Sequence, residues 1–136
     1  ISTRDWSSDV CSSDLEGAAA VTVYAPEGGF WSVSGHAPGG DPAALSRVVL
    51  EQMREDYRDL DSEPGESEVH GRRLEGLDIN FSCLDFTNTT QVRTLETPDA
   101  VYLLVCQAED HDWERIAEIF AAMTASFVAS LPAAPE

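Results

Sequence analysis

Lysine is absent from the sequence, and basic residues of any kind are scarce. All eight are arginine, against 25 acidic residues, which gives a formal net charge of −17 over 136 residues. Nucleic acids and anionic membrane surfaces are bound by clustered lysine or arginine side chains. The composition therefore argues against both as partners and favours a protein partner whose contact surface is basic.

Long apolar runs are also missing, and none approaches the roughly 20 residues that a helix needs to cross a bilayer. We therefore predict no membrane span in this chain. The sequence also lacks the basic start and apolar core of a secretory signal peptide. Because the chain begins with Ile1 rather than methionine, we expect that its natural N-terminus is missing. Localisation stays open between the cytoplasm and the cell envelope.

Cysteine and histidine are few, with three of each. His36, His70 and His111 are far apart in the chain, and neither a CxxC nor an HxxxH spacing is present. We therefore predict no metal site and no cofactor.

A cysteine hydrolase is the enzyme class that the residue types allow. Cys83 would be the nucleophile and Asp85 the orienting carboxylate, with one of the three histidines as the base. However, Cys83 shares a predicted strand face with Ile79 and Phe81, which is typical of a small buried side chain. Asp85 suits a turn after that strand. We predict that the protein is not an enzyme and keep the hydrolase as a third alternative.

Residues 5–15, DWSSDVCSSDL, fit neither a helical nor a strand periodicity. Over its whole length this run resembles the translation of a common high-throughput sequencing adapter. We interpret residues 1–15 as a non-native, disordered segment, the alternative being a native Ser/Asp-rich tail. Residues 16–136 have the size of one domain, and we predict a single α+β domain there.

Within this domain the patterns predict two strands, a helix, about four strands and a C-terminal helix. The first helix has Asp41 as its N-cap and Pro42 at its first position. A tight turn is predicted at His70-Gly71, and the acidic run RDLDSEPGESE before it is interpreted as a short strand entering a solvated loop. The last helix is expected to begin with a cap at Asp110 or Asp112.

Alternating residues predict a cross-strand register. With hairpin centres near Pro98 and between Phe86 and Thr87, the rows are Phe81/Val92/Leu104 and Cys83/Thr90/Cys106. Cys83 and Cys106 would then lie two strands apart, about 9.6 Å, and both should be free thiols. On the opposite face Asn80 aligns with Arg93. The polar cluster of Asp78, Asn80 and Arg93 is either a solvated surface or a contact site, and it is the candidate binding face.

The segments APEGGFWSVS, LDINFSCLDFTNTTQVR and VYLLVCQAEDHDWERIAEIFAAMTASF resemble the PsbP-like fold, which the Ran-binding Mog family and related small bacterial domains share. The resemblance covers nearly all of residues 18–131. It implies an antiparallel sheet with helices on its faces. It also implies a role in binding other proteins, as photosystem accessory subunits, a nuclear-transport factor or secretion chaperones do.

The fold that we predict is α+β, with an antiparallel sheet of five or six strands, the order ββαββββα and a three-layer sandwich. The predicted function is a non-catalytic protein-interaction or chaperone-like module. The first alternative is a small-ligand or envelope lipoprotein-type binding domain, which a pocket with convergent polar groups would favour.

Overall fold

Seven strands and two helices make up the described part of the chain. The computed structural model describes residues 7–10, 19–26, 28–57, 59–83 and 85–131. The elements in chain order are β1 (Ser7–Val10), β2 (Ala19–Tyr24), β3 (Phe30–His36), α1 (Pro42–Asp56), β4 (Leu60–Val69), β5 (Arg72–Cys83), β6 (Phe86–Glu96), β7 (Val101–Glu109) and α2 (Asp110–Ala129).

The strands form one antiparallel sheet in the order β1-β2-β3-β7-β6-β5-β4. Strands that follow one another in the chain pair with each other, except that β3 pairs with β7 instead of β4. The predicted α+β class, with an antiparallel sheet and two helices, is confirmed. Within the described residues the sheet has seven strands, whereas five or six were predicted, and three strands precede α1 where the predicted order has two, because β1 adds to the edge of the sheet.

Strand β1 lies inside the segment that we interpreted as disordered. Ser7–Val10 pairs in antiparallel fashion with β2, so this part of the expectation is wrong. The physical reason is that an open sheet edge offers unpaired backbone groups, and these accept a strand without any hydrophobic pattern in it. The rest of residues 1–15 lies outside the described residues, and the non-native origin of the segment stays a prediction.

Strand β4 extends through the acidic run, where we predicted a short strand entering a solvated loop. Leu60–Val69 pairs with β5 along its whole length, although it contains Pro64 and Gly65. In the described sheet β4 is the outermost strand, where proline and charged side chains are tolerated because one row of backbone groups faces solvent.

Two turns explain which parts of the predicted register hold. His70 and Gly71 both have positive φ, 50° and 77°, and they form the predicted tight turn between β4 and β5. Between β5 and β6, Asp85 has a φ of 72°, which permits a short connection. Asn80 therefore pairs with Thr89 instead of Arg93. The shift is an even number of residues, so the relative faces of these two strands are as predicted.

The hairpin between β6 and β7 changes the register by one residue. Val92 pairs with Val105, whereas a centre at Pro98 would pair it with Leu104. The Thr97 hydroxyl accepts hydrogen bonds from the backbone N–H groups two and three residues later, which fixes the turn half a step further along the chain. A slip of one residue turns each side chain of a strand to the other face, so the predicted cross-strand rows are wrong.

Alternate residues of β7 belong to two separate cores, so the two helices contact opposite faces of the sheet. The core under α1 contains Leu50, Met53, Ile79, Phe81, Val92 and Leu103. The core under α2 contains Ala25, Trp31, Leu74, Leu95, Leu104, Cys106, Ala108, Ile116, Phe120 and Val128.

The helices begin as their first residues dictate. Asp41 caps α1, its side chain accepting a hydrogen bond from the Ala43 N–H, and Pro42 follows as predicted. In α2 the cap position is Glu109, with no side-chain hydrogen bond, so the predicted caps are wrong. Asp110 and Asp112 lie instead in the first turn, where the helix dipole favours negative charge. Neither helix in the described residues is long and apolar enough to cross a membrane.

Both described cysteines are free, as predicted. The predicted geometry was wrong, because the β7 slip puts them on opposite faces. Cys83 packs on the α1 side and Cys106 on the α2 side. The sheet itself therefore separates the two sulfur atoms.

Candidate binding cavity beneath helix α2

Helix α2 presents large side chains to one part of the sheet and small ones to another. Phe120 is 3% exposed and packs into the core. Ala117, Ala121 and Ala125 recur at four-residue spacing and so lie along one line of the helix. Between this alanine line and strands β4 to β7 there is a cavity of about 500 Å³. We call it the α2 cavity.

Most walls of the α2 cavity are apolar, with a small group of polar side chains among them. Leu74, Leu104, Phe120 and Trp113 supply apolar surface, and the polar lining residues are Ser67, Glu68, Gln91, Arg93 and Thr124. The Trp113 and Phe120 rings meet edge to face, with centroids 5.9 Å apart. Such a mixture of apolar walls and few polar groups is typical of small-molecule sites.

Arg93 is a buried cation in this wall. Its side chain is 9% exposed. Nε donates a hydrogen bond to the Ser67 hydroxyl at 2.9 Å, and Nη1 donates to the backbone carbonyls of Val92 at 3.0 Å and Leu77 at 3.3 Å. These bonds hold the guanidinium in one orientation across three strands. Nη2 makes no hydrogen bond with any residue that the structure describes.

Two facing glycines make room for the guanidinium. Gly65 of β4 pairs with Gly76 of β5, and Gly76 in turn pairs with Arg93. A Cβ on Gly65 would lie 2.9 Å from Arg93 Nη1. A Cβ on Gly76 would overlap the Val92 carbonyl oxygen, which accepts from the same nitrogen. The missing side chain of Gly65 therefore leaves room for the guanidinium, and that of Gly76 leaves room for the backbone of β6.

Asp78 balances the Arg93 charge. Its Oδ1 lies 2.9 Å from Arg93 Nη1. This oxygen is buried and has no hydrogen-bond partner among the described residues, so the contact with Arg93 is an ion pair without hydrogen-bond geometry. Asp78 does not line the α2 cavity. The pair thus compensates the charge from behind the cavity wall.

Cys106 also lines the α2 cavity but cannot act as a nucleophile at neutral pH. It is 5% exposed, and burial raises the pKa of its thiol to about 12, although the Arg93 charge acts in the opposite direction. The side chain is therefore a neutral thiol and forms part of the apolar wall.

The three residues of the predicted binding face are only partly brought together. Asp78 and Arg93 form the ion pair described above. Asn80 is exposed, and its Oδ1 lies 2.9 Å from the Thr89 hydroxyl, which also lies 2.6 Å from Asp110 at the start of α2. Asn80 is thus part of a surface polar group, whereas Arg93 belongs to the interior.

The residues of the hydrolase alternative are scattered. His36, at the end of β3, and His70, in the β4–β5 turn, lie at the end of the sheet opposite Cys83. His111 is near the Cys83 end, where its ring centroid is 6.1 Å from that of Phe86. Among the described residues no hydrogen bond joins Cys83 to a histidine.

One group of potential metal ligands occurs among the described residues. It consists of Glu109, His111 and Asp112, whose ligand atoms lie within 4.8 Å of one another. His111 nitrogens are 3.2 Å from the Glu109 carboxylate and 3.6 Å from that of Asp112. Arg115 donates to Asp112 at 2.8 Å. These contacts within the group explain its arrangement without a metal ion.

Sequence reasoning missed the α2 cavity as a whole. One signal was present: the four-residue repeat of Ala117, Ala121 and Ala125 predicts a helix flank that leaves space. A second was the presence of Gly65 and Gly76 in the segments that form β4 and β5. Their position beside Arg93 depends on the pairing of β4 with β5 and of β5 with β6, which residue patterns alone do not give.

Comparisons with known proteins bear on the fold alone. No protein-family model matches the chain, and no curated protein matches it. Among solved structures, the chain is similar to the crystal structure of PA94 from Pseudomonas aeruginosa, a protein of unknown function. The TM-score is 0.55 at 12% sequence identity, over 96% of this chain and 99% of that chain. At this identity the likeness shows a shared fold and nothing about activity.

Proposed function

We propose that this protein is a non-catalytic protein-interaction or chaperone-like module whose partner presents a basic surface. The observation that carries the proposal is the acidic edge of the sheet. Strand β4 holds four exposed carboxylates, which we call the acidic edge: Asp61, Glu63, Glu66 and Glu68. Arg73 pairs with Glu66 at 3.0 Å, whereas Asp61 and Glu63 have no ion-pair partner among the described residues.

Two further points support a binding role. The resemblance to the PsbP-like fold implies a three-layer sandwich and protein partners, and the packing of α1 and α2 on opposite faces supports that architecture. The scattered positions of Cys83 and the histidines give no support to hydrolysis. An acidic edge also discourages edge-to-edge pairing with other sheets. The experiment therefore has to separate recognition from simple solubility.

The test compares two variants with equal charge loss. Asp61→Asn/Glu63→Gln neutralises the acidic edge, and Glu51→Gln/Glu55→Gln neutralises two exposed carboxylates of α1. Interactors are captured from native lysate by each variant at low and moderate salt. We expect a salt-sensitive partner that the β4 variant loses and the α1 variant keeps, because exposed charges act over about 10 Å at 0.1 M salt.

Equal loss in both variants would show that bulk charge alone attracts the captured protein. Absence of any partner at either salt concentration, together with esterase or peptidase turnover that Cys83→Ala abolishes, would replace the proposal by the cysteine hydrolase.

A small-ligand function is the second candidate, and the α2 cavity is the observation that favours it. Its volume of about 500 Å³ lies within the range of small-molecule sites, and Arg93 and Ser67, which are hydrogen-bonded to each other, are among its few polar lining residues.

A further inference from the structure

The unused nitrogen of Arg93 is the starting point. Nε and Nη1 are occupied by Ser67 and by backbone carbonyls, so the guanidinium is fixed before any ligand arrives. Nη2 carries two N–H donors without a hydrogen-bond partner among the described residues, and Arg93 lines the α2 cavity. Nη2 is not among the fully buried side-chain atoms that lack a partner, so it is accessible to solvent and can donate to an acceptor in a mostly apolar wall. The wall therefore favours an acceptor inside the cavity.

The charge of the surroundings selects the kind of acceptor. Asp78 already compensates part of the Arg93 charge, and Glu68 at the cavity is exposed and acidic. In a chain of net charge −17, a dianion such as a phosphate monoester would meet strong repulsion. A single negative charge is better matched, and a carboxylate accepts from guanidinium N–H groups in favourable geometry.

The rest of the cavity selects the body of the ligand. Leu74, Leu104, Trp113 and Phe120 offer apolar walls, and the alanine line of α2 leaves an uninterrupted apolar strip beside them. Burying an alkyl chain there is favourable by the hydrophobic effect. The volume suits a chain on the order of ten carbons.

We propose that the α2 cavity binds a monocarboxylic acid with an apolar body, the carboxylate accepting hydrogen bonds from Arg93 Nη2 and the body lying along Ala117, Ala121 and Ala125. Gln91 and the Thr124 hydroxyl are further polar groups of the lining. Thr124 Oγ1 accepts from Trp31 Nε1 at 3.0 Å, which fixes that hydroxyl oxygen. The site is distinct from Asp61 and Glu63 and does not depend on the proposed protein partner.

The probes are decanoate, decan-1-ol and decylammonium, which share a chain and differ in head-group charge. Decanoate and decylammonium are titrated into the full chain below their critical micelle concentrations, and decan-1-ol below its solubility limit. Isothermal calorimetry and tryptophan fluorescence are the readouts, since Trp113 lines the cavity. We expect decanoate to bind roughly ten- to hundredfold more tightly than decan-1-ol, as one charge-assisted hydrogen bond allows. Decylammonium should bind most weakly.

Two variants test where the probe lies. Arg93→Gln/Asp78→Asn removes both charges of the ion pair and so leaves no orphan charge. It should reduce decanoate affinity roughly tenfold or more, to the level of decan-1-ol, whose own affinity should stay within about threefold. Ala125→Leu fills the cavity and should weaken both probes, whereas Ala129→Leu, at an exposed position of α2, should weaken neither. Circular dichroism confirms that each variant is folded.

Several outcomes would overturn the proposal. Equal affinities of wild type for decanoate and decan-1-ol would remove the role of Arg93. So would an unchanged decanoate affinity in the double variant. Equal effects of Ala125→Leu and Ala129→Leu would place the probe outside the α2 cavity, and no binding of any probe would reject the site altogether.

Discussion

Replacing Gly76 by alanine should be among the most damaging small changes to this sheet. A Cβ at this position would overlap the Val92 carbonyl oxygen and lie 2.7 Å from its carbon and 3.1 Å from the Arg93 Cα. All three atoms are backbone of the neighbouring strand β6, which a rotamer change cannot move. The same carbonyl accepts from Arg93 Nη1, so the new methyl group would also disturb that contact.

The size of the effect follows from the distances. Ordinary van der Waals contact begins at about 3.4 Å, so β5 and β6 would have to separate by about 1 Å or more at their centre. Overpacking of this kind typically lowers the free energy of unfolding by about 1–3 kcal/mol. Because the atoms that the new methyl group would meet belong to the backbone of β6, we expect Gly76→Ala to lie at the upper limit, about 3 kcal/mol. For a chain of this length we expect the melting temperature to fall by about 10 °C.

Two other strand glycines provide a graded series. At Gly65 the nearest atoms are side-chain ends, Asp78 Oδ2 at 2.6 Å and Arg93 Nη1 at 2.9 Å, so Gly65→Ala should cost about 1–2 kcal/mol. At Gly35 the new Cβ would meet the Tyr102 ring at 3.4 Å, an ordinary contact, so Gly35→Ala should change stability by less than about 0.5 kcal/mol. Urea denaturation of the three variants measures the order. A Gly76→Ala variant as stable as Gly35→Ala would refute the β5–β6 geometry.

Three further outcomes are expected. Burial raises the pKa of Cys106 to about 12, so as the pH rises the thiol ionises in the unfolded chain before it does in the folded one. The free energy of unfolding should therefore fall by roughly 1.4 kcal/mol per pH unit from about pH 9. Urea titrations of Cys106→Val should lack this slope. Phe120→Ala should cost about 3–5 kcal/mol in the same assay, whereas Phe86→Ala, at a 51% exposed position, should cost under about 1 kcal/mol; similar losses would contradict the assigned core. Deleting residues 1–15 should lower stability by about 1 kcal/mol and open the outer edge of β2, which stays paired with β3, so sedimentation should detect concentration-dependent association. A strictly monomeric product would argue against an open β2 edge.

Local chemistry in the sequence was enough to predict several elements. The Asp41-Pro42 start of α1 and the His70-Gly71 turn depend on capping and on positive φ, which involve neighbouring residues only. The α+β class followed from alternating and helical periods. These features need no knowledge of what packs where.

Features that depend on pairing were harder to predict. The β6–β7 register depends on the Thr97 hydroxyl, whose hydrogen bonds move the centre of the turn by half a residue. Because of this shift, Leu104 and Cys106 lie on the face opposite to the predicted one. The full length of β4 was missed, and only a short strand was predicted, because its acidic, proline-containing sequence is favourable only at a sheet edge, and edge position is set by the whole topology.

Stability alone does not account for the ion pair of Asp78 and Arg93. A buried pair recovers its desolvation cost only with good geometry, and well-packed apolar residues of similar volume are often as stable or more so. Here Asp78 Oδ1 lacks a hydrogen bond, and the space for the guanidinium depends on Gly65, although glycine is unfavourable in a strand. The chain thus accepts two local costs to fix one cation in the wall of the α2 cavity. A ligand that accepts from Nη2 would give this arrangement a function that the folded chain by itself does not require.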